Sequence, residues 1–268
     1  MEGNMKVLIM TDLEGVSGVV SFVDQAYPDG KYYEQAKKLL TAEVNAAVKG
    51  LVEEGVDDIL VIDGHGPGGI VFEELHPAAK LMHGRPSAPQ SVYRKYASQY
   101  DVTIMVGQHA MAGTDQATLN HTQNSRSVDY YKLNGKYIGE IAQWALYCGG
   151  MNIPLIFLSG DEAACREAED LIPGITTAVV KIGLARTYAI SLSKEEAQSR
   201  IYQKVKQAVQ THRKNPIQPL RWEGPFVLEK RFMTTTDADS SMSKPGYERV
   251  DSQTVRLRSD DIMEIIYG

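Results

Sequence analysis

The chain is 268 residues long with 43% hydrophobic and 23% charged side chains, the proportions of a folded globular protein and not of a disordered, collagen-like or coiled-coil one. Its 28 Lys+Arg against 34 Asp+Glu leave a formal charge of −6, without the basic surplus that binds phosphates, so no nucleic-acid partner is expected. The longest apolar runs have strand length, far short of the roughly 20 residues that span a bilayer, which excludes a membrane partner.

Residues Met1–Asn4 read as an extension without the basic region of an export signal. Cys148 and Cys165 form no CxxC pair and sit among apolar neighbours, so two buried free thiols in a cytoplasmic protein are expected. From Lys6 onward apolar runs alternate with amphipathic helices. Lys6–Thr11 is a strand buried on both faces, and Tyr32–Glu54 is a helix whose Ala36, Leu40, Val44, Ala47, Val48 and Leu51 recur at three- and four-residue steps. Strands follow at Asp58–Ile62, Ala79–Met82, Val102–Val106, Ile153–Leu158 and Thr176–Lys181, with helices at Ser91–Ser98, Gly139–Cys148 and Asp161–Leu171. Ala117–Tyr137 is polar and β-prone, with Asn134-Gly135 as its hairpin turn. The last third reads as a helix over Lys194–His212, a proline-containing link, strands at Phe226–Phe232 and Thr254–Leu257, and a closing helix over Asp260–Tyr267.

This alternation predicts an α/β fold, a mostly parallel sheet with flanking helices plus a smaller α+β region. The first part is expected over residues 1–187 and carries the site; the second spans 188–268, and an interleaved arrangement would leave the same trace. In such sheets ligands bind beyond the carboxyl ends of the strands. There the first strand runs into Asp12-Leu-Glu14, the second into Asp63-Gly-His65, and the strand over 102–106 is followed by Gly107-Gln-His109. Residues two apart in an extended chain share a side, so carboxylates and imidazoles converge on one rim as a donor set suited to Zn, Mn or Co. A solvated turn is the plain alternative for each DxE and a satisfied core histidine for His65 and His109. His76, His83 and His212 read as structural or surface. His121, in the polar segment Thr118–Thr122, can carry a proton at the same rim. Glu140 opens a helix, where the helix dipole alone would favour a carboxylate.

The segments Asp12-Leu-Glu-Gly-Val-Ser-Gly18, Asp63-Gly-His65, Glu74-Leu-His-Pro77, Gly107-Gln-His-Ala-Met-Ala-Gly-Thr114, Asn120-His-Thr122 and Gly139-Glu140 resemble, in order and spacing from Met5 to Lys181, the zinc-dependent D-aminopeptidases named after a dipeptide transport locus. The resemblance implies two divalent ions, zinc with Co or Mn as substitutes, held by Asp12, Glu14, His65, His109 and Glu140, with His121 as the catalytic histidine. It further implies hydrolysis of the N-terminal residue of small, D-amino-acid-containing peptides by metal-activated water, and a homo-oligomeric ring. Met111 departs from the resemblance, which carries a basic residue there. Two rival functions share the donor types or the family name: a two-metal phosphoester hydrolase, and a non-catalytic peptide-binding protein. The first wants Lys or Arg on the rim, and the second has no use for five converging ligands.

Overall fold

The computed structural model describes residues 5–268; residues 1–4, the expected extension, lie outside the described part. The chain folds around two sheets. Strands β1 (Lys6–Thr11), β2 (Asp58–Asp63), β3 (Ala79–Met82), β4 (Val102–Gln108), β7 (Leu155–Asp161), β8 (Thr176–Ala185) and β9 (Tyr188–Ser191) form a seven-stranded sheet in the order β3-β2-β1-β4-β7-β8-β9. Every neighbouring pair is parallel except the β8–β9 hairpin. Helices α1 (Tyr33–Glu53), α2 (Gln90–Ala97), α3 (Glu140–Gly150), α4 (Glu162–Leu171) and α5 (Lys194–Lys214) connect or cover these strands. The α/β class and the mostly parallel sheet are thus as expected.

The local reasons are ordinary. The apolar stripe of α1 is buried as its periodicity requires, and its far end is closed where Val56 N donates to Leu51 O and Gly55 N to Val52 O. Asp161 caps α4, accepting from Ala164 N at 2.8 Å, and Ser193 caps α5 through Glu196 N. Residues such as Val7, Ile9, Ile59, Val61 and Ile104 have no exposed surface, because a sheet covered on both faces buries whole strands.

The smaller sheet is antiparallel, in the order β11-β12-β10-β5-β6, from β5 (Val128–Leu133), β6 (Lys136–Ile138), β10 (Phe226–Phe232), β11 (Glu248–Arg249) and β12 (Thr254–Ser259). The two sheets do not divide the chain at 187/188. β5 and β6 join strands a hundred residues further on, while β9 and α5 belong with the larger sheet. Differences in extent are small elsewhere. The strand expected over 176–181 runs to Ala185 and turns back as β9, and the closing helix shortens to α7 (Ile262–Ile265), with Asp261 as its cap. Helix α6 (Thr235–Met242) has a Thr/Ser/Asp-rich sequence that reads as loop, and Thr234 starts it by accepting from Asp237 N. A π-helical turn, Phe22–Ala26, closes the loop after β1. Cys148 and Cys165 are free and buried, and among the described residues no helix is long and apolar enough to cross a membrane.

Candidate metal centre

Strand β1 lies between β2 and β4, so the chain emerging from three adjacent strands carries Asp12 and Glu14, His65, and His109 to one edge. The ends of β1 and β4 are clasped together: Asp12 N donates to Val106 O at 2.9 Å and Gly15 N to Gly107 O at 2.8 Å. The clasp is too close for side chains. Gly107 has φ +81°, and a Cβ there would stand 2.0 Å from the Asp12 carbonyl oxygen.

The side chains then meet. His65 Nδ1 is 3.2 Å from Asp12 Oδ1 and 3.2 Å from Glu14 Oε2, and His109 Nε2 is 3.1 Å from Asp12 Oδ2 and 3.5 Å from Glu140 Oε1. His121 Nε2 stands 3.8 Å from the same Glu140 oxygen, and its ring stacks on His109 with centroids 4.0 Å apart. Asp12 therefore turns one oxygen to each of two histidines. All five sequence-chosen donors and His121 come together in one cluster.

Each imidazole has one nitrogen committed to a backbone carbonyl: His65 Nε2 to Ala26 O at 2.8 Å, His109 Nδ1 to Ala110 O at 2.9 Å, and His121 Nδ1 to Leu119 O at 2.9 Å. A carbonyl only accepts, so each of these nitrogens carries a proton and the opposite nitrogen is the one turned to the cluster. There His65 Nδ1 lies 3.2 Å from Asp12 Oδ1, while Glu14 Oε2 and His109 Nε2 are buried without a hydrogen bond despite the short separations. Something positive belongs between them. With donor bonds of 2.0–2.2 Å, two ligands on a tetrahedral ion stand about 3.3–3.6 Å apart, close to the 3.1–3.5 Å between these donors. The residues present fit a metal.

The electrostatics say the same. Asp12, Glu14, His65 and His109 are 6%, 3%, 6% and 1% exposed, and unpaired charge at such depth is costly. Burial alone would push the Asp12 carboxyl up, but the close approach of His109 and His65 outweighs it and holds the group well below its usual range. Burial disfavours a charged His65 and His109, yet Glu14 and Asp12 around the first, and Glu140 and Asp12 around the second, raise both well above the ordinary histidine value.

His121 sits on a loop held in sparsely populated conformations: Gln116, Leu119 and Gln123 have φ of 50°, 54° and 65°. The surroundings enforce this. Leu119 N donates to Arg186 O at 2.7 Å, Thr118 N to the α4 cap Asp161 at 2.7 Å, and Gln123 N to Glu140 Oε1 at 2.7 Å. Glu140, the first residue of α3, thus combines its favourable helix position with a contact to this loop.

Other polar residues fall outside the cluster. Asp63 accepts from Gly69 N and Ile70 N and holds the turn after β2, His83 stacks on Phe72, and His212 accepts from Ile217 N. Met111 lines a separate cavity of about 480 Å³, and its N donates to Glu167. Two positioning residues were not foreseen. Lys181, 1% exposed on β8, donates from Nζ to the carbonyls of Glu14, Val16 and Val19 at 2.6, 3.2 and 2.6 Å, and burial brings its ammonium down to about 8. Arg85 spends its guanidinium on the carbonyls of Asp63, His65, Gly66 and Gly84. A lysine embedded in an otherwise apolar strand is the only signal the sequence offers for either.

The cluster lines a cavity of about 640 Å³ that reaches from Asp12, Glu14, His65, His121 and Glu140 to the side chains of α2 and α3. Comparison with known proteins gives the family. The peptidase M55 family model, described as D-aminopeptidase, matches residues 5–267. A D-aminopeptidase of Bacillus subtilis (strain 168) is 29% identical over 264 residues, covering 97% of this chain and 93% of that protein. The solved structure titled Zn-dependent D-aminopeptidase DppA from Bacillus subtilis, a self-compartmentalizing protease, matches with a TM-score of 0.88 at 28% identity, covering 98% of this chain and 94% of that one.

Proposed function

The chain belongs to the D-aminopeptidase family and is a peptidase, and on that premise we propose that it removes the N-terminal residue of small peptides with two zinc ions held by Asp12, Glu14, His65, His109 and Glu140. The observation that carries the reading is the Asp12 carboxylate, whose two oxygens face two different imidazoles as a bridging ligand would. Three carboxylates around neutral imidazoles would carry three negative charges, which calls for divalent cations in the cluster. Such ions supply Lewis acidity toward the scissile carbonyl and acidify water.

The chain's own groups do the rest. His121 Nε2 presents a lone pair at the mouth of the cluster, with its Nδ1–H anchored on Leu119 O. It takes a proton from the attacking water and returns it to the leaving amine. Glu140, 3.8 Å from Nε2, stabilises the imidazolium formed between those two transfers. Lys181 and Arg85 hold the Glu14 and His65 loops in register by their carbonyl contacts. Arg85, beside the His65 loop, is spent on backbone oxygens and so serves to hold that loop. The relative described as self-compartmentalizing supports a homo-oligomer whose assembly encloses the site.

The test is metal analysis of purified protein together with hydrolysis of D- and L-aminoacyl p-nitroanilides. Prolonged chelation is expected to abolish hydrolysis, and Zn, Co or Mn to restore it. Full activity after verified metal loss would refute the proposal.

A further inference from the structure

The 640 Å³ cavity that the donor cluster lines is also lined by a wall of aromatic rings that supply no donor to it. Trp144 and Tyr147 follow Glu140 along α3 by one and two turns, and at 1.5 Å per residue they stand about 6 and about 10 Å beyond it along the axis. Tyr93 from α2 and Tyr267 from the C-terminal end complete the wall. Trp144 stacks on Tyr147 at 6.1 Å, Tyr93 meets Trp144 edge-on at 6.5 Å, and Tyr267 packs on Tyr147 at 5.7 Å. Met10 and Met105, paired across β1 and β4, lie along the same cavity. The Trp144 indole N–H is occupied by Thr103 Oγ1 at 3.0 Å, so what this ring offers is apolar.

We propose that this aromatic wall receives the side chain of the substrate's N-terminal residue, and that the enzyme prefers peptides beginning with a large aromatic residue. The inference rests on the aminopeptidase reading and adds the substrate class. In the proposed pose the scissile carbonyl lies at the cluster and the side chain of the same residue is directed along α3 toward Trp144 and Tyr147. A methyl group ends one bond from its Cα and leaves the far wall without contact, whereas a phenyl or indole ring crosses the gap and meets ring edges and thioethers. Apolar surface removed from water at this wall lowers KM, and correct seating of the carbonyl raises kcat.

The experiment uses the zinc-loaded full chain with D-phenylalanine, D-leucine and D-alanine p-nitroanilides. The expected kcat/KM for the phenylalanine substrate exceeds that for alanine by about 10- to 100-fold, the range a shaped apolar pocket gives. Tyr93→Ala narrows that ratio by about 10-fold, mainly through KM, at unchanged metal content. A second readout needs no turnover. With only two tryptophans in the chain, Trp222→Phe leaves Trp144 as the sole indole, and D-phenylalaninol is expected to shift its emission at more than 10-fold lower concentration than D-alaninol. Equal or inverted preference for alanine, or a Trp144 emission indifferent to D-phenylalaninol, would overturn the pocket. If no anilide is cleaved, the aminopeptidase reading falls instead, and the emission titration still decides the pocket.

Discussion

Replacing Gly107 by alanine tests whether the clasp between the ends of β1 and β4 is what builds the site. At φ +81° an L-residue pays about 1–2 kcal/mol for the left-handed conformation. The new Cβ would also stand 2.0 Å from the Asp12 carbonyl oxygen and 2.9 Å from Val16 Cγ2, so the strand ends must separate by more than an ångström. That separation weakens the 2.9 Å and 2.8 Å bonds joining Asp12 N to Val106 O and Gly15 N to Gly107 O, at about 1 kcal/mol each. The reduced freedom of the unfolded chain returns only about 0.5 kcal/mol. The net loss is about 3 kcal/mol, or about 5 °C in melting temperature at this size. Gly113 supplies the control, since it has the same φ of +81° with nothing within 4 Å of its Cβ position. Gly113→Ala is expected to lose only the conformational cost. Thermal unfolding and zinc stoichiometry of the two variants should therefore diverge, with metal lost from Gly107→Ala alone. Equal losses in the two would refute the clasp.

His121→Ala should lower kcat by roughly 10² to 10⁴ while metal content and melting temperature stay near wild type; full activity with full metal would remove it from the mechanism. In chelated protein His65 and His109 have values raised well above 6.5. Their stabilising contribution is complete below pH 6.5 and is lost as pH rises through the raised values. The melting temperature of the metal-free protein should therefore fall from pH 6.5 upward, and a flat or rising profile in calorimetry would contradict the described cluster. Burial raises both the Cys148 and Cys165 thiols, so a thiol reagent should find neither in the native protein and two after denaturation.

The larger sheet and the donor set were legible because both are written locally. Short apolar runs bounded by turn residues mark buried strands, and Asp12, Glu14, His65 and His109 each follow such a run directly. Glu140 and His121 were legible by resemblance, since a helix-opening carboxylate and a loop histidine have ordinary structural explanations. What was hidden depends on distance in the chain. Lys181 satisfies carbonyls 162 to 167 residues away, and no periodicity marks a strand residue for that task. The partnership of β5 with β10 is fixed by tertiary pairing and not by either strand's composition. The aromatic wall joins Tyr93, Trp144 and Tyr267 from three separate elements, each of which reads alone as ordinary core.

The interleaving of the two sheets decides which parts of the chain each donor of the cluster depends on. Glu140 follows β6 by two residues, and β6 is the outer strand of a sheet in which its neighbour β5 pairs with β10, and β10 with β12, both beyond residue 225. Gln143, on the first turn of α3, is tied by its Nε2 to Ile266 O at 2.9 Å, so the helix that presents Glu140 docks on the segment that follows α7. Asp12, Glu14, His65 and His109 are set by the larger sheet alone, whereas Glu140 also depends on the smaller sheet and on Ile266. Damage to β10, β12 or the Ile266 segment would therefore loosen Glu140 before it disturbed the other four side chains.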